Sequence, residues 1–116
     1  MFPLQRGRRL RVNESIRLLV RETTLSPSDF MFPMFIMEGE NTKVEIPSMP
    51  GIFRRTLDLT VEEVKELFAL GIRAVNIYVK VSDDLKDNTG KEAWNENGLM
   101  QRAIKAIKDA VPEMVV

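Results

Sequence analysis

Residues 85–108 read LKDNTGKEAWNENGLMQRAIKAIK, and this run decides the fold. Its first half is polar, carries turn-forming Asn, Asp and Gly, and holds the only tryptophan, Trp94. Its second half sets Met100, Ala103, Ile104 and Ile107, followed by Val111, at helical spacing. Arg102, Lys105, Lys108 and Asp109 fall on the opposite face. Pro112 closes the helix, and Met114, Val115 and Val116 begin a strand. Loop, helix and strand in that order are the repeating unit of an α/β fold.

Working outward, residues 74–79 (AVNIYV) read as a second strand. Thr60 with Glu63 three residues on reads as a capping box, which starts a helix at residue 60. Val61, Val64, Leu67 and Phe68 share one face of that helix, and Gly71 sits where a C′ glycine ends it. Residues 30–37 (FMFPMFIM) are apolar throughout, as in a parallel strand covered on both faces. Pro33 removes one ladder donor, so the early part of this strand is expected to be an edge or irregular. Residues 41–55 read as a loop stiffened by Pro47, Pro50 and Gly51, with a small β-ribbon at 44–46. In the loop 82–98, Trp94 is expected to be a buried pin and Asn97 a helix cap. The order β, α, β, α, β gives right-handed crossovers and a parallel sheet.

Residues 1–29 read as an arm. Arg6, Arg8, Arg9 and Arg11 crowd its start. Asn13 can cap a short helix over 14–22 with Ile16, Leu19 and Val20 on one face, and Ser26 with Pro27 starts a further turn. Two helical turns are too few to be stable alone, so this apolar stripe needs a partner surface. The arginines suit carboxylates on such a surface better than nucleic acid, because no aromatic platform is interleaved.

The 116 residues suit one domain, with 17 basic and 17 acidic side chains in balance. No global field recruits nucleic acid or an anionic membrane, no apolar run is long enough to span a bilayer, and no signal peptide is evident. The sequon at Asn13 is therefore read as chance. Cysteine and histidine are both absent, which excludes disulfides, thiolate nucleophiles, Cys/His zinc sites and imidazole bases. A cytoplasmic location fits this composition. Lys80 stands alone among lysines at the C-terminal end of an expected strand, where barrel enzymes keep reacting groups, but a solvated lysine is the favoured reading. Asp83, Asp84 and Asp87 are read as solvated loop acids rather than Mg²⁺ ligands. The βα turns lack a glycine fingerprint for phosphate.

The wording of 92–108, together with EIPSMPG at 45–51, closely resembles the N-terminal third of the porphobilinogen synthase (5-aminolevulinate dehydratase) family, from about Arg8 to Val116. The resemblance implies a partial TIM (β/α)8 barrel over 30–116 preceded by an arm, 1–29, that makes oligomer contacts, an octamer in the family. It implies a parent activity that condenses two 5-aminolevulinate molecules into porphobilinogen, as a hydro-lyase of tetrapyrrole and heme biosynthesis. The family's two active-site lysines, its divalent metal (zinc or magnesium) and its lid arginines match nothing here. No catalytic, cofactor-binding or metal residue is therefore assigned, and the chain is expected to be an inactive N-terminal fragment. The alternative is a non-catalytic assembly module that pairs with a synthase subunit or with itself through an open edge at Met114–Val116.

Overall fold

A computed structural model describes residues 7–116. Arg6, part of the arginine cluster, and the rest of residues 1–6 lie outside the described residues. From Gly7 to Phe30 every residue is exposed except Ile16, which is half-buried. Asn13 caps α1 (Glu14–Leu19) by accepting the Ile16 amide at 3.0 Å. The helix stops at Leu19, short of the expected residue 22; Leu18, Leu19 and Val20 are exposed, so little packing supports further turns. Ser26 and Asp29 form a reciprocal capping box around Pro27. The radius of gyration is 21.2 Å, against ~13 Å for a compact chain of this length, and the long axis reaches 65 Å.

Beyond this segment lie β1 (Met31–Met37), β2 (Lys43–Glu45), β3 (Phe53–Thr56), α2 (Leu57–Ala69), β4 (Ala74–Lys80) and α3 (Leu99–Ala110). They form one sheet in the order β2-β3-β1-β4. β1 pairs in parallel with β4 along its length, from Met31 beside Ala74 to Met37 beside Lys80. β3 joins the other edge of β1 only at Phe35–Met37, so the side of β1 around Pro33 carries no ladder, as a missing donor requires. Val115 adds a parallel bridge outside β4: its amide donates to Arg73 O at 3.0 Å and its carbonyl accepts from Val75 at 2.9 Å. The expected third strand therefore begins at the expected place.

Both helices cover the same face of the sheet. Met34 and Ile36 of β1, with Val75 and Ile77 of β4, pack against Val64 and Leu67 of α2 and Leu99, Ala103 and Ile107 of α3. Met114, fully buried, closes the base of this core. Lys108 holds the turn there by donating to the Met114 carbonyl at 2.9 Å.

Several expectations need correction. β1 is covered on one face only: Met31 is 59% exposed, while Met34 and Ile36 on the helix side are buried. The stretch 41–55 contains a real strand, β3, antiparallel to β2. The PSMPG stretch is the tight end of that hairpin, closed by the Ile46 amide on Ile52 O at 2.9 Å. α2 starts at Leu57 with Thr56 at the N-cap position, so there is no capping box at Thr60. Thr60 points into the core, where its hydroxyl donates to Thr56 O at 3.0 Å. In α3, Ile104 is 41% exposed and Leu99 takes its place in the core, because the buried face runs Leu99, Ala103, Ile107. Gly98, not Asn97, occupies the N-cap of α3. A Cβ on Gly98 would stand 3.0 Å from the backbone carbonyl oxygen of Asn95, which cannot swing aside, and 2.7 Å from the flexible end of Gln101, so packing favours glycine there.

The end of α2 follows expectation. Gly71 adopts φ +97°, the Ile72 amide donates to Leu67 O and the Gly71 amide to Phe68 O, both at 3.0 Å, which is a Schellman closure.

Candidate functional site

Side chains alternate along β1 and β4, so the residues that do not meet the helices share the open face of the sheet. On β4 these are Asn76, Tyr78 and Lys80, interleaved with the core residues Val75 and Ile77. Phe35 of β1 lies in register with Tyr78 on one side and with Arg54 of β3 on the other. The Phe35 and Tyr78 rings stack at 5.4 Å between centroids with 22° between planes. Asn76 Nδ2 donates to the Tyr78 hydroxyl at 2.8 Å and fixes the tilt of that ring. Above the stack, Arg54, Lys80 and Lys86 line an open cavity of about 330 Å³.

Lys80 ends β4 on this face and is exposed. Beside it a second shallow cavity, of about 360 Å³, includes Glu38 and Asp83. The Lys86 ammonium donates to Asp83 Oδ1 at 2.6 Å. That hydrogen bond, then the charges of Lys86 and Lys80, hold the Asp83 carboxyl below its ordinary range. Glu38 is tied to Arg102 of α3, whose Nε also donates to Asn97 O at 3.0 Å. Arg102 thus clamps the end of the long loop to the end of β1.

The loop acids act within the loop. Asp87 Oδ1 accepts from the Thr89 hydroxyl at 2.7 Å and the Thr89 amide at 2.9 Å, which lowers its pKa. Asp84 is exposed. Among the described residues no group of three or more acids, cysteines or histidines comes together. Trp94 corrects another expectation: it is 75% exposed, not a buried pin, and borders an open concavity with Leu85 and Lys91. The loop is held instead by Gln101 Nε2 on Ala93 O at 2.8 Å and by the Arg102 clamp.

On the N-terminal segment Arg8, Arg9 and Arg11 are exposed. Glu14 is taken by Arg17 at 2.5 Å and, more loosely, by Arg21 at 3.9 Å. Sequence reading missed the Phe35–Tyr78–Arg54 grouping. The period-2 alternation of polar and apolar residues in AVNIYVK carried half of the signal; the register of β3 against β1 carried the rest, and no local pattern shows it.

The sequence profile of the delta-aminolevulinic acid dehydratase family matches residues 4–116. The delta-aminolevulinic acid dehydratase of Synechococcus elongatus is 45% identical over 116 residues, covering 100% of this chain and 35% of its own length. That of Bacillus subtilis (strain 168) is 44% identical over 111 residues, covering 96% and 34%. The crystal structure of delta-aminolevulinic acid dehydratase (porphobilinogen synthase) from Toxoplasma gondii ME49, in complex with the reaction product porphobilinogen, superposes with a TM-score of 0.89 at 41% identity, over 98% of this chain and 32% of that one. The chain spans about a third of the length of the curated relatives it matches.

Proposed function

Since this chain belongs to the delta-aminolevulinic acid dehydratase family, we propose that it forms the opening βα units of a (β/α)8-barrel lyase. That lyase condenses two 5-aminolevulinate molecules into porphobilinogen and releases two waters. The observation that carries the reading is the superposition of 98% of the chain on a dehydratase at a TM-score of 0.89. In this reading residues 30–116 are the first part of the barrel, and the open face with Phe35 and Tyr78 lines its interior. The strand ends at Met37 and Lys80 lie at the rim where such barrels work.

The chain by itself turns over no substrate. A Schiff-base lysine needs a desolvated or cation-flanked amine, and every described lysine is exposed. The test is a colorimetric porphobilinogen assay on the 116-residue chain and on a chimera in which it replaces the matched third of the Bacillus subtilis relative. We expect colour from the chimera alone. Turnover by the isolated chain overturns the inactivity; a folded chimera without turnover overturns the lyase reading.

A second reading, an assembly role, is favoured by the exposed apolar side chains of residues 7–29. Leu19 is 84% and Leu25 79% exposed, more than a helix and turn left in water would carry. We propose that residues 1–29 pack on a neighbouring subunit to build a homo-oligomer. Light scattering across a concentration series tests it, and a monomer at every concentration overturns it. The cytoplasmic placement belongs to this proposal: with no cysteine the chain gains nothing from an oxidising compartment. Among the described residues no helix is long and apolar enough to cross a membrane.

A further inference from the structure

Asn97 is the one asparagine in the chain that precedes a glycine. Such a pair is chemically labile, because no side chain on the glycine shields its amide nitrogen from the asparagine side-chain carbonyl carbon. Here the pair lies where the loop 82–98 enters α3, with Asn97 exposed and Gly98 buried. The backbone around it is fixed from three sides. The Gly98 amide donates to Asn95 O at 2.8 Å. The Asn97 amide donates to Asn95 Oδ1 at 3.0 Å. The Asn97 carbonyl accepts from Arg102 Nε at 3.0 Å, and the same guanidinium pairs with Glu38 at the end of β1. The Gly98 nitrogen therefore has its hydrogen engaged and its peptide plane held, so it cannot turn onto Asn97 Cγ.

We propose that Asn97 is a deamidation site kept latent by the Arg102 clamp, and that its reaction rebuilds the join between the loop and α3. The proposal is independent of the lyase reading. When the clamp opens, hydroxide removes the Gly98 amide proton and the nitrogen attacks Asn97 Cγ. The new C–N bond forms, the Cγ–Nδ2 bond breaks, and ammonia leaves with a proton returned by water. A five-membered succinimide remains, and water opens it. Addition at Cγ gives aspartate; addition at the main-chain carbonyl carbon gives isoaspartate, in which the chain runs through Cβ and Cγ. Water is the only co-reactant. The two products pull in opposite directions. Aspartate sets a negative charge beside Arg102 and the N-terminus of α3, where it is favourable. Isoaspartate inserts one backbone atom before Gly98, so the amides of residues 97 and 98 cannot both keep Asn95 as their acceptor. Asn95 is the internal control: it is exposed in the same loop but precedes Glu96, whose side chain crowds the amide.

The test is a timed incubation of the 116-residue chain beside a free peptide of residues 92–101, at neutral pH and at one unit above it. Tryptic digestion and tandem mass spectrometry read the amide-to-acid mass gain and assign it to Asn95 or Asn97. The peptide should react at Asn97, the folded chain at least about tenfold more slowly, and both faster at the higher pH. Arg102→Met should raise the rate in the chain about three- to tenfold with unchanged circular dichroism. Glu38→Gln loosens the same clamp without touching Asn97 and should raise the rate by less. A folded chain that reacts as fast as the peptide, or reaction at Asn95 as fast as at Asn97, overturns the proposal. So does a folded Arg102→Met variant that keeps the native rate; where that variant does not fold, a folded Glu38→Gln variant at the native rate overturns it instead.

Discussion

Arg55→Met should destabilise the fold in a pH-dependent way, and the dependence follows from Glu63. The Arg55 guanidinium meets the Glu63 carboxylate at 2.9 Å, with side chains 27% and 18% exposed, and also lies 5.7 Å from the Phe53 ring. Burial pushes the Glu63 carboxyl above its ordinary 4.5, Arg55 pulls it back, and the charge of Glu66 adds to the rise. Methionine keeps the apolar stem and removes the counter-charge. The contact is an ion pair without hydrogen-bond geometry, and at this partial exposure it is worth about 1 kcal/mol at pH 7. The folded pKa of Glu63 lies above its unfolded value, so its ionisation costs stability as pH rises from about 4.5 through the folded value. Removing Arg55 moves the upper end of that window higher. The penalty for Arg55→Met therefore shrinks as the pH falls from neutral towards the ordinary carboxylate range, where the folded carboxyl takes up its proton ahead of the unfolded one. Urea unfolding followed by circular dichroism at neutral pH and in that range reads it. Adding Glu63→Gln should remove most of the penalty, a coupling of about 1 kcal/mol. An equal penalty at the two pH values, or strict additivity in the double variant, refutes the reasoning.

Other outcomes follow from the same structure. Ile107→Ala empties a fully buried position and should cost about 2–5 kcal/mol, whereas Ile104→Ala, at a site 41% exposed, should cost under about 1 kcal/mol; denaturant midpoints separate them. Gly71→Ala should cost more than about 1 kcal/mol by thermal melt, because φ is +97° and the new Cβ would sit 3.1 Å from Pro27. Trp94 should emit as a solvated indole that acrylamide quenches freely, and Trp94→Ala should move stability by no more than about 0.5 kcal/mol.

What the sequence made legible is what short-range periodicity controls. α3 runs Leu99–Ala110 as read, because Ala103 and Ile107 repeat at helical spacing and Pro112 forbids continuation. Gly71 and Asn13 do what their local chemistry demands. The misreadings share a cause, which is tertiary packing overriding a local pattern. Thr60 and Glu63 have the spacing of a cap, but Thr60 is needed in the core and Glu63 is needed by Arg55. β3, with sequence FRRT, lacks any apolar alternation; it forms because β1 offers a free edge and α2 offers an acid. Trp94 has no pattern to say which way it points, and the loop is fastened by Gln101 and Arg102 instead.

The alternation along β1 and β4 divides two tasks between two sets of residues. Met34, Ile36, Val75 and Ile77 meet the helices and carry stability; Phe35, Asn76, Tyr78 and Lys80 face away and carry little of it. A change on the first set removes buried area, at about 25 cal/mol per Å², whatever ligand is present. A change on the second set alters the chemistry of the open face while the helix side stays intact. Arg54 of β3 sits beside Phe35 on that open face, half-buried and, among the described residues, without an ion pair. Its replacement by an uncharged side chain of similar length relieves a partly desolvated charge, so Arg54→Met should hold or raise the urea midpoint. An Arg54→Met variant that lost stability would place Arg54 with the structural residues, and the division between the faces would fail at that position.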